Sequence, residues 1–88
     1  MSKMNVAFNM FEKLFDGKYD PFDFSCDMEQ YLFDNYNDLL LENKEITDIW
    51  EENVPDLCSE GEPNFDPAHM IAELKKIYDK TKAMINQI

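Results

Sequence analysis

Apolar residues recur at helical spacing along most of the chain, and no stretch of useful length alternates with the period of two that marks a half-buried strand. Met4, Ala7, Phe8, Phe11, Leu14 and Phe15 share one helix face, and Asp16-Gly17 supplies a stop, so a helix is expected over about 3–15. A second set, Met28, Tyr31, Leu32, Phe33, Tyr36, Leu39 and Leu40, predicts a helix over about 25–41. At about 100° per residue this set fills an arc of about 200°, wider than the ~100° a surface helix needs. The expectation is a central helix packed on two sides.

The start of that helix admits two readings. Asp20 can cap it with Pro21 in the first position and Tyr19 stapled onto Phe24. Alternatively residues 18–24 are an aromatic-rich turn and Ser25 is the cap, with Asp27 and Glu29 in the first turn. The second reading is preferred and sets the bound at residue 25.

A third, shorter helix is expected over about 44–54, burying Ile46, Ile49, Trp50 and Val54, with Pro55 turning the backbone out of it. Residues 55–64 then form a connection, with one helical turn at 56–58. The last helix, about 67–87, has the clearest start: Asp66 caps, Pro67 takes the first position, and Phe65 can staple onto Met70. Met70, Ile71, Leu74, Ile77, Tyr78, Met84, Ile85 and Ile88 continue its apolar face. The pattern defines an all-α fold, a small bundle of three long helices and one short helix in a single domain.

Composition supports a folded chain. At 88 residues there is room for one core. Hydrophobic residues make up 44% and twelve residues are aromatic, too apolar for an acidic disordered segment despite a net charge of −11. Two cysteines do not make a disulfide framework. The opening residues lack the pattern of a signal peptide, and no run approaches the ~20 apolar residues of a membrane span. A cytoplasmic protein with reduced thiols is expected.

Charge changes the picture more. Residues 20–62 hold fourteen carboxylates and one lysine, a net of −13, while 1–19 and 63–88 each carry +1. Asp27, Asp34, Asp38 and Glu42 fall within about 80° of one another on the second helix, a ridge about 22 Å long at 1.5 Å per residue. Glu45, Asp48 and Glu52 form another on the third. Solvated faces carry this many acids, but they ordinarily mix in lysine, as Glu73, Lys76, Asp79 and Lys80 do on the last helix. The two ridges are therefore the candidate partner-binding surface.

A basic protein fits such a surface, helped by electrostatic steering. Nucleic acid and anionic membranes do not, because Lys75, Lys76, Lys80 and Lys82 spread around the last helix as dipole-complementing charge. Tyr19, Phe22 and Phe24 either fold back as a lid on the core or form an exposed aromatic anchor. Trp50 reads as core.

Catalytic chemistry finds no support. His69 is the single histidine and makes, with Glu73, half a zinc site at best. The stretch from Asp16 to Asp27 fails the calcium-loop pattern, with glycine second and aromatics in the middle. Cys26 and Cys58 have no basic neighbour to activate them. No catalytic residue, metal or cofactor is expected.

The reading is a non-enzymatic protein-binding module. In size and charge the chain looks like the small acidic proteins common on phages and mobile elements, which makes a nucleic-acid mimic that inhibits a DNA- or RNA-binding protein the first alternative. The second is a structural or oligomerising protein, monomer or dimer, because residues 70, 74, 77, 81, 84 and 88 keep a short coiled-coil spacing that Thr81 interrupts.

Overall fold

A computed structural model of the chain describes residues 2–59 and 66–85. They form five helices: α1 (Lys3–Phe15), α2 (Pro21–Asp34), α3 (Tyr36–Glu42), α4 (Lys44–Ser59) and α5 (Pro67–Ile85). No strand occurs among the described residues. The all-α expectation holds, while the count of three long helices and one short one becomes four long and one short. The expected Phe65 staple and the end of the last helix past residue 85 lie outside the described residues.

The first turn of α1 is capped both locally and from α3. Asn5 N–H donates to the Ser2 hydroxyl oxygen at 3.0 Å, and Val6 N–H to the Ser2 carbonyl at 3.2 Å. Lys3 and Met4 N–H both donate to the Glu42 carboxylate, at 2.9 and 3.2 Å. The Val6 bond is the first i→i−4 link of the helix, and Lys3, Met4 and Asn5 are three of the four donors that a helix start leaves without internal partners. The other end closes with Lys18 N–H on the Lys13 carbonyl and Gly17 N–H on the Leu14 carbonyl. Gly17 has φ 77, the left-handed geometry this termination requires.

The preferred start of the second helix is corrected. Asp20 is the cap, its Oδ1 accepting from Phe22 and Asp23 N–H at 2.9 and 3.2 Å, and Pro21 opens α2. Tyr19 and Phe24 pack edge to face with ring centroids 5.6 Å apart, which is the staple. Ser25 sits inside α2, where its hydroxyl donates to the Pro21 carbonyl at 2.9 Å.

The continuous helix expected over 25–41 is also corrected. It breaks at Asn35, whose backbone leaves helical geometry at φ −115 and ψ 16. Its side-chain amide and its backbone N–H both donate to the Tyr31 carbonyl, at 2.9 and 3.0 Å. That is the local competition by which asparagine disfavours helix interiors. Phe33 is 79% and Tyr36 40% exposed, so the apolar arc is narrower than expected, while α2 and α3 each pack against both α1 and α4.

Pro55 does not end α4, which runs on to Ser59. The proline withholds the N–H that the Glu51 carbonyl would accept. Apolar packing carries the helix past it: Val54 is fully buried, and Leu57 and Cys58 pack against the core. At its start Ile46 N–H donates to Asn43 Oδ1 at 3.0 Å.

The core comprises Met4, Ala7, Phe8, Phe11, Leu14, Phe24, Met28, Leu32, Leu39, Ile46, Trp50, Val54, Met70 and Leu74. Trp50 joins α4 to α1, its ring 5.1 Å from Phe8 and 5.7 Å from Phe11. Its Nε1 is buried and has no hydrogen-bond partner. Thr81 belongs to the buried stripe of α5, its hydroxyl donating to the Ile77 carbonyl at 2.8 Å. No helix among the described residues is long and apolar enough to cross a membrane.

Candidate functional site

The seven ridge carboxylates divide by what they touch. Asp27, Asp34, Asp38, Glu42, Glu45 and Glu52 are exposed and Asp48 is half-buried. The break at Asn35 places Asp27 and Asp34 on α2 and Asp38 and Glu42 on α3, so the first ridge is not one straight helical row. Both α2 and α3 pack beside α4, which carries Glu45, Asp48 and Glu52.

Four of the seven accept hydrogen bonds from other residues. Glu42 holds the first turn of α1, a carboxylate at the positive end of a helix dipole. Asp27 accepts from the Tyr19 hydroxyl. That bond and burial push the Tyr19 pKa up to about 12, burial contributing most. Asp48 pairs at 2.7 Å with Lys44, the one lysine of residues 20–62, and the bond raises the Lys44 pKa. Asp34 accepts from Gln30 Nε2 at 2.9 Å.

The aromatic trio separates as well. Phe24 is core, Tyr19 is half-buried as the staple, and Phe22 alone is largely exposed, at 60%. Neither the lid nor the anchor describes all three.

A cleft of about 350 Å³ opens where α2 breaks into α3, lined by Phe33, Asp34, Tyr36, Asn37 and Glu51. Sequence reasoning placed Phe33 and Tyr36 in the core and did not single out Asn37 or Glu51. Glu51 Oε1 is shielded from solvent and accepts no hydrogen bond, although the residue as a whole is half-buried. Burial accordingly raises the Glu51 pKa above the ordinary carboxylate value.

No group of three or more His, Cys, Asp or Glu side chains among the described residues is placed to hold a metal ion. The Cys58 thiol is pushed up to about 11 by burial, so it is protonated at neutral pH. Comparison with protein-family models, curated proteins and solved structures finds no match.

Proposed function

We propose that the chain is a single-domain, non-enzymatic binding module that uses the anionic surface of α2, α3 and α4 against a basic protein. The observation that carries this reading is the charge segregation: residues 20–62 hold fourteen carboxylates against one lysine, and that lysine is committed to Asp48. Of the seven ridge acids, Asp34, Asp38, Glu45 and Glu52 are exposed and neither cap a helix nor pair with a lysine or tyrosine here, and they are assigned to the partner. Uncancelled charge of one sign costs stability by self-repulsion and speeds capture of an oppositely charged partner.

Capture of partners by the full chain from the organism that encodes it, at low salt and at ~1 M salt, tests the electrostatic mode. A basic protein retained at low salt and released at high salt is expected. A partner held equally at both overturns the reading. The mimicry alternative gains no specific support, since the interruption at Asn35 works against a regular row of carboxylates. For the oligomer alternative, burial of Met70, Leu74 and Thr81 within this chain favours the core reading of those three stripe positions.

A further inference from the structure

We propose that the cleft at the α2–α3 break, walled by Phe33, Tyr36, Asp34, Asn37 and Glu51, takes an arginine side chain from the basic partner. The inference rests on the reading of the chain as a module for a basic protein and names what that partner presents.

Three observations meet in this cleft. Phe33 and Tyr36 are exposed at 79% and 40%, on a stretch whose other large apolar residues are mostly buried or half-buried. Exposed aromatics grouped at a concavity are characteristic of interface hot spots. The volume, about 350 Å³, accommodates a side chain and lies at the low end of the range for small-molecule sites. Glu51 lines the cleft, and its Oε1, shielded from solvent, has no donor, although buried polar atoms are ordinarily partnered.

The lining is rich in acceptors. Asp34 and Glu51 are carboxylates, Asn37 adds an amide oxygen, and Pro55 removes the helical donor for the Glu51 carbonyl. Asp34 spends one contact on Gln30, and a carboxylate offers about four acceptor positions. Arginine carries five N–H donors in a planar fork and no acceptor, and its face stacks on aromatic rings. It can therefore meet carboxylates on α2 and α4 while lying against Phe33 or Tyr36. Lysine, a compact and strongly hydrated charge, uses the rings and the paired acids less well.

The test is titration of the isotope-labelled full chain, followed by NMR, with the tripeptide acetyl-Gly-Arg-Gly-amide and its lysine and citrulline counterparts. Saturating shifts confined to residues 33–37 and 51 are expected with the arginine peptide, with a fall in the Glu51 pKa as the guanidinium arrives. Glu51→Gln and Phe33→Ala should each weaken binding about tenfold or more. Phe33 is exposed, so Phe33→Ala keeps the fold and tests the site even if Glu51→Gln perturbs it. Equal binding of the lysine or citrulline peptide, or binding indifferent to both substitutions, overturns the assignment. Non-saturating shifts spread over Asp38, Glu45 and Glu52 overturn the cleft and leave the broad acidic surface standing. No response anywhere at low salt overturns both.

Discussion

On the α1–α5 side, Lys75 lies 5.0 Å from the Tyr78 ring and 5.6 Å from that of Phe15, and Lys82 lies 4.7 Å from that of Phe8. Lys75 also pairs with Asp79 at 2.7 Å, and Lys76 meets Glu73 at 3.2 Å. On the α2–α4 side residues 20–62 hold one lysine against fourteen carboxylates, and that lysine pairs with Asp48. Both sides are amphipathic helices on the same core. They differ in whether surface charge is cancelled locally.

The largest test concerns the residue joining the two sides. Trp50→Ala should cost about 3–5 kcal/mol in urea unfolding, because it empties the contact between α4 and the α1 rings. Trp50→Phe should cost about 1 kcal/mol or less, since it removes the unpartnered Nε1–H along with some area. Equal losses in the two variants would mean that the orphaned donor carries no penalty.

Next comes a contrast within the acidic half. Glu42→Ala should destabilise by about 1–2 kcal/mol, because it strips two donors of α1 of their acceptor. Asp38→Asn, on the same short helix, should be neutral or stabilising. Denaturation midpoints of the pair measure which acids are structural and which are spare.

Alkaline pH probes one tyrosine on each side. Tyr19 beside Asp27 and Tyr78 beside Glu12 are both raised from 10.0 to about 12, burial being the main cause in each. A raised folded-state pKa contributes stability that is present below pH 10 and lost as pH climbs toward 12. Absorbance titration should show both phenols ionising well above 10. Asp27→Asn should bring Tyr19 down while leaving Tyr78 in place.

The smallest effect is the most diagnostic of charge. Converting Asp34, Asp38, Glu45 and Glu52 to Asn or Gln should raise stability by about 0.5 kcal/mol at low ionic strength, as repulsion falls. The gain should vanish by ~0.5 M salt, where the Debye length is only a few ångströms. Unchanged stability at every salt concentration would show that the surface charge is not under strain.

Much of the fold was legible because its signals are local. Asp16-Gly17 and Asp66-Pro67 fix helix ends within a few residues, and both do so in the structure, Asp66 Oδ1 accepting from Ala68 and His69 N–H. Asp20 and Ser25 are both competent caps, and only the packing of Tyr19 on Phe24 decides between them. Pro55 favours a break locally, yet burial of Val54 and its neighbours outweighs it. The arc of about 200° at about 100° per residue suits one helix packed on two sides, and nothing in its width marks the break at Asn35. The capping role of Glu42 and the shielded oxygen of Glu51 depend on contacts far apart in sequence, and no spacing rule reaches them.

The grip of Glu42 on Lys3 and Met4 spans 39 and 38 positions. Starting a helix is ordinarily a local, sub-microsecond event, and Ser2 serves Asn5 and Val6 in that way. The remaining two amides wait for α3 to dock. Hydrogen exchange at Lys3 and Met4 should therefore report the opening of α3, not the fraying of α1, so that the beginning of the chain acts as a clock for its middle.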